Sequence, residues 1–374
     1  MLGLFIDRTG LEEWEINEAN IEKLTAIVEY VSKNIKKFTG EKDIDILRLI
    51  KNRCDDKGLT VEKIKMHRAT GMHYFYRNNI MIAMDKLNLA INKAEEIGRK
   101  DLVAACTSDL GLIYFYEHKH EKAKMQYKCA EGLMQGTPDL DKYILHCHYY
   151  RYGILHRTLH EYELAENAFK KALSYAEEKV EIGLTLVNIG INYKVQMNFN
   201  KALEYYEKAM DALDESDYFN KSRVYNNLAE LYKVAGSYDK ALEHINRAFE
   251  YLDNKDASEL FINFTTYTEI AVLLREPEKA LDKFLEMLLK IEDYSVNKSL
   301  IIEGIDSLAT LGAENREMLK KLESAVVMLI KFTSAENREY KKELERCLRN
   351  IRLYIQDINN SDVKGGLLFE ENNN

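Results

Sequence analysis

Small, aromatic and bulky apolar residues recur along most of this chain in a fixed order. A Gly or Ala is followed three positions later by an aromatic, twelve later by Ala, sixteen later by a bulky residue and nineteen later by a small one. Gly71, Tyr74, Ala83, Leu87 and Ala90 open the series, and Gly111, Tyr114, Ala123, Tyr127 and Ala130 repeat it. Gly153, His156, Ala165, Phe169 and Ala172 follow, with His in the aromatic slot, then Gly190, Tyr193, Ala202, Tyr206 and Ala209. Ala229, Tyr232, Ala241, Ile245 and Ala248 make a fifth copy, and Thr268, Ala271, Ala280, Phe284 and Met287 a weaker sixth.

These spacings predict helical hairpins. A small residue lets helix A approach helix B, and the residue one turn on shares its face. Helix B then presents Ala, a large residue and Ala at steps of four and three, a single helical stripe. One hairpin leaves apolar surface uncovered, so copies must stack. The expected fold is all-α: a right-handed superhelix of about six hairpins over residues 61–293 (61–100, 101–136, 139–178, 179–216, 218–254 and 257–293). Residues 1–60 carry helical patterning without the repeat, as in Ile21, Leu24, Ile27, Val28, Val31, Ile35 and Phe38, and read as a possible partner-binding region. Residues 295–358 read as capping helices and 359–374 as a disordered tail.

Composition narrows this further. Two prolines and 17 glycines in 374 residues are too few for a turn-rich β fold. A net charge of −9 argues against nucleic acid as partner. Five scattered cysteines without a C-x-x-C indicate a reducing compartment and core thiols. Leu2–Ile6 is too short for a signal peptide, and no apolar run approaches the roughly 18–20 residues of a membrane span, so a cytoplasmic protein is expected.

Catalytic motifs are absent: no Walker A, no dinucleotide-binding glycine fingerprint and no G-x-S-x-G. Carboxylates sit beside basic residues on helix exteriors, as in Glu204/Lys208 and Glu243/Arg247. No enzymatic activity and no cofactor are expected. His146, His148, His156 and His160 cluster with Cys147, but His156 fills the repeat's aromatic slot, so they read as packing residues rather than metal ligands. The K-G-L-T turn within residues 49–71 is like that of a helix-turn-helix, yet the would-be recognition helix is taken up by the first repeat.

The recurrent order resembles the tetratricopeptide (TPR) repeat over about residues 61–293. LVNIGINYKVQMNFNKALEYYEKAM, at 186–210, is a very close match. First positions at 71, 111, 153, 190, 229 and 268 give spacings of 40, 42, 37, 39 and 39, longer than the usual repeat of about 34 residues. The resemblance implies a concave groove lined by helix A. With the small residue counted as position 8, positions 2, 5, 6, 9, 12 and 13 face it. Asn188, Lys194, Arg223, Asn226, Asn227, Lys233, Tyr150, Arg151, Arg157 and Tyr116 are then the candidate peptide- or partner-binding residues, with Ser108, Asp109, Leu112 and Phe115 on the same face. Asn pairs with both groups of a peptide backbone, Arg takes carboxylates and Tyr supplies rigid apolar contact.

The chaperone-type carboxylate clamp is incomplete: Asn188 and Arg223 match it, but Tyr150, Ile154 and Asn227 replace its other members. The lengthened repeats, the array of about six and the helix with Asn188 resemble the peptide-pheromone receptors of Gram-positive bacteria, the RRNPP superfamily that includes the Rap phosphatases. That resemblance implies a quorum-sensing regulator whose groove holds a short imported peptide and whose N-terminal region meets a response regulator or other protein partner. A constitutive TPR adaptor and a DNA-binding regulator are the alternatives. The sequence leaves the oligomeric state open.

Overall fold

The computed structural model describes residues 13–371, apart from 41, 138–139, 253–256, 291–297 and 334–336. Residues 1–12 and 372–374 lie outside it. The regular secondary structure of the described residues is all helical. A leading group holds α1 (Glu13–Asn17), α2 (Ile21–Lys33), a 3-10 turn (Ile35–Lys37) and α3 (Asp43–Asp56). Helix A and helix B then alternate: α4 (Thr60–Tyr76) with α5 (Ile80–Glu96), α6 (Lys100–Tyr116) with α7 (His120–Gln135), and α8 (Lys142–Thr158) with α9 (Tyr162–Tyr175). The fourth pair is α10 (Lys179–Lys194) and α11 (Phe199–Ala212), the fifth α12 (Tyr218–Val234) and α13 (Tyr238–Glu250), and the sixth α14 (Ala257–Leu273) and α15 (Pro277–Lys290). α16 (Lys298–Leu311), α17 (Arg316–Phe332) and α18 (Arg338–Glu371) close the order.

The helix B stripe predicted from spacing is the core. Ala83, Ala123, Ala165, Ala202, Ala241 and Ala280 are all fully buried, as are Leu87, Tyr127, Phe169, Tyr206, Ile245 and Phe284. The extra repeat length lies in the helices. The first spacing of 40 is two 17-residue helices and two three-residue turns.

Each A–B turn closes with the same Schellman bond, in which an N–H just past the helix returns to the carbonyl five residues back. Asn79 donates to Tyr74, Lys119 to Tyr114, Glu161 to His156, Asn198 to Tyr193, Ser237 to Tyr232 and Glu276 to Ala271, all at 2.8–3.0 Å. The preceding residue must take a left-handed backbone. Asn78, His118, His160, Met197 and Arg275 do so with φ of 56–61°; Gly236, and to a lesser degree Asn78, supply residue types that suit it, whereas the other four carry the strain.

The chain divides into two compact units, Met1–Asn192 and Tyr193–Asn374. In the first, one apolar cluster runs from Ile16 through Leu24, Ile27, Leu47, Ile50 and Cys54 into Ile64, Met66 and Met72 of the first repeat. The described part of residues 1–60 therefore shares the core of the array. α3 behaves as a helix B without the signature: Gly58 after it and Gly98 after α5 both adopt positive φ, and Leu59 N–H returns to Cys54 as Arg99 N–H does to Ala94. In the second unit, a cluster from Ala229 to Ile351 joins the last hairpins to α16, α17 and α18. The segment from 359 expected to be a tail is helical in backbone as far as Glu371, a stretch with no proline to stop the helix. No helix among the described residues is long and apolar enough to cross a membrane.

Candidate functional site

In the first unit, the helix A positions hold a connected polar network. Asp109 of α6 is completely buried and receives Arg68 Nε of α4 at 2.6 Å and Arg151 Nη1 of α8 at 2.6 Å. Burial alone would raise the Asp109 carboxyl, but the charges of Arg68 and Arg151 and their hydrogen bonds hold it below the usual carboxylate range. Burial likewise works against both guanidiniums, and Asp109 keeps them firmly protonated.

A second knot lies further along. Asn188 of α10 is 8% exposed, and its Nδ2 donates to Tyr150 Oη at 2.8 Å and to the Leu184 carbonyl at 3.0 Å. Arg157 Nη1 donates to Asn188 Oδ1 at 2.9 Å and to its carbonyl at 3.1 Å. The Arg157 guanidinium also lies over the Phe169 ring, 5.6 Å from its centroid. Tyr116 is 61% exposed and meets Phe75 edge-on, with ring centroids 5.3 Å apart.

In the second unit, charges alternate along helix A. Lys194 lies 3.8 Å from Glu230, Lys233 donates to Glu230 at 2.6 Å, and Lys233 also pairs with Glu269. Arg223 stands 3.7 Å from Glu259 and is half exposed. Asn227 donates to the Arg223 carbonyl at 2.8 Å, and among the described residues the buried Oδ1 of Asn226 has no hydrogen-bond partner. Val195, Val234 and Leu273, all at position 13, are 43–45% exposed.

Two expectations change. Asn188 and Asn227, equivalent in the repeat, are not equivalent in environment: Arg157 and Tyr150 reach Asn188 and occupy both ends of its amide. Lys194 and Lys233 are paired with glutamates rather than standing as open cations, because positions 9 and 12 of successive A helices bring opposite charges together, Lys194 with Glu230 and Lys233 with Glu269. Arg68 escaped the candidate set. It stands at position 5 of the first copy, three residues before Gly71, and the same count carried to that copy would have found it. Asp109 was on the expected face, but nothing local marks its burial between two arginines.

The histidines spend their ring nitrogens separately. Nδ1 pairs with the Ala172 carbonyl in His146, Ser108 Oγ in His148, Glu161 in His156 and Tyr162 Oη in His160.

Two tetratricopeptide repeat models match, one over residues 149–179 and the other over 181–254. The chain carries tetratricopeptide repeats, and the hairpins outside that stretch share their turn geometry and buried stripe. No curated protein matches in sequence. Among solved structures, the apo form of RapI is similar with a TM-score of 0.55 at 16% identity, over 90% of this chain and 98% of that one. Aspartyl phosphate phosphatase F from Bacillus subtilis gives 0.52 at 15%, over 95% and 87%. A signal-transduction ATPase with a tetratricopeptide repeat sensor, from Pyrococcus horikoshii, gives 0.59 at 16%, over 94% of this chain and 50% of that one. At such identities the likeness is one of fold.

Proposed function

We propose that this chain is a regulator that works by protein–protein interaction, holding a short extended peptide along its helix A faces and passing the bound state to a protein partner. The observation that carries the reading is the character of those faces. Buried or half-buried Arg, Asn and Tyr side chains stand at the same positions of successive A helices, where a purely structural solenoid needs only solvated Lys and Glu. The second unit has a helix A face of its own, with exposed Val195, Val234 and Leu273. The fold likeness to RapI and to phosphatase F supports a Rap-like regulator, with a response regulator as one class of partner. Catalysis is not part of the proposal, and the site of action is taken as the cytoplasm.

Native mass spectrometry of the protein purified from its own host tests the reading. A co-purified peptide of about five to ten residues, in the range an extended chain at roughly 3.3 Å per residue can lay along several helices, supports it. A stoichiometric protein partner without peptide replaces it with a constitutive adaptor.

A further inference from the structure

We infer that Arg68 and Arg151 form a receptor for one carboxylate of the bound peptide, an assignment that rests on the peptide-binding reading above. Two guanidiniums share a single carboxylate, so the cluster carries one uncompensated positive charge. Asp109 is sealed, whereas the side chains of Arg68 and Arg151 keep 14% and 16% of their exposure, which places the excess charge at the surface of the site. Among the described residues, Tyr76, Cys106, Tyr127 and Cys147 near the pair add no negative charge near neutral pH. Burial pushes the Tyr76 hydroxyl and the Cys106 thiol up to about 12, and raises Tyr127 and Cys147 as well.

The donors are also unspent. Asp109 takes Nε and Nη2 of Arg68 and Nη1 of Arg151. Among the described residues, Nε and Nη2 of Arg151 and Nη1 of Arg68 have no acceptor. A guanidinium with an open edge is shaped for a carboxylate, which accepts two parallel bonds. Tyr116, 61% exposed and meeting Phe75, stands about two turns beyond Asp109 on α6, where its ring can cover a peptide residue further along from the captured group. In a protein of net charge −9, one cationic point of this kind selects strongly among peptides.

The carboxylate can come from an Asp or Glu side chain or from the peptide's C-terminus, and one experiment separates them. A randomised N-acetylated pentapeptide pool is made twice, with free C-terminal carboxyls and with amides. Each is offered to the full-length protein, and retained peptides are read by native mass spectrometry. Enrichment of Asp or Glu at one position in both pools identifies a side chain; retention of the free-carboxyl pool alone identifies the terminus. Arg151→Gln leaves Asp109 paired with Arg68 at zero net charge; it should melt lower but still fold, and lose the preference at least tenfold. If that variant does not fold, Arg68→Gln removes the same charge and serves instead. Peptides retained without carboxylate preference, or a preference that survives in the folded variant, overturn the carboxylate receptor alone. Failure of the wild-type protein to retain either pool overturns the peptide-binding reading and this inference with it.

Discussion

Asp109 is where a single residue matters most. Asp109→Asn would leave Arg68 and Arg151 facing each other without a counter-ion, and removal of one partner from a buried ion pair costs about 3–5 kcal/mol. Urea unfolding at pH 7 should show that loss. Because the folded carboxyl lies below its ordinary value, its contribution is complete above about pH 4 and disappears as pH falls through the lower folded value, so the variant should lack that acid limb. Two buried histidines act in another window. Burial holds His67 and His148 neutral, with pKa values pushed down to about 4, while the unfolded chain protonates them near 6.5. Stability should therefore be full above about pH 6.5 and fall towards pH 4 at up to about 1.4 kcal/mol per pH unit for each, a slope that the His67→Gln/His148→Gln double variant should flatten. The two asparagines divide in the same spirit. Asn188→Ala strips Arg157 and Tyr150 of a partner and should cost about 1–3 kcal/mol of stability. Asn227→Ala, whose amide donates to the Arg223 carbonyl of its own helix, should melt normally and weaken binding of a co-purified peptide roughly tenfold.

At the scale of the hairpin, the sequence was most readable where contact is local. Ala83, Leu87 and Ala90 announce a buried stripe because they lie within two turns of one helix, and all three are fully buried. Gly153 announces close approach: a Cβ there would stand 2.6 Å from the Phe169 ring, so Gly153→Ala should cost about 1–3 kcal/mol by overpacking. What spacing could not show is pairing between hairpins. Arg68 and Asp109 are 41 residues apart, and only stacking makes them neighbours. The turns give a test in the opposite direction. Met197 is 65% exposed at φ 58°, so Met197→Gly relieves backbone strain with little packing lost. Strain of about 1–2 kcal/mol, set against a glycine entropy cost of about 0.5–1, leaves a gain of up to about 1.5 kcal/mol in stability, read as a higher urea midpoint.

Over the whole molecule, repeats that contact their neighbours pass a disturbance on by steps. Hydrogen exchange of Asp109→Asn should show lowered protection in α4, α6 and α8, and none of that loss in α16–α18. The three closing helices were legible as helices without repeat signature, since Ile301, Leu308, Leu322 and Leu344 keep helical spacing and are fully buried. The N-terminal region was legible as helical too, but not as continuous with the array, because α3 keeps the turn and the packing of a helix B while its signature residues are gone.

That continuity decides how an output role for residues 1–60 can be tested. Deleting them would strip the cover from Ile64, Met66 and Met72, and the protein would be lost to aggregation before any signalling defect could be scored. Genetics on this region must work by surface lesions. Trp14 and Ile21, 59% and 53% exposed on the outer side of that cover, can be changed to Ser and Lys with the core left whole. An uncoupled mutant, one that still captures its ligand but no longer speaks to its partner, should be sought at those two codons.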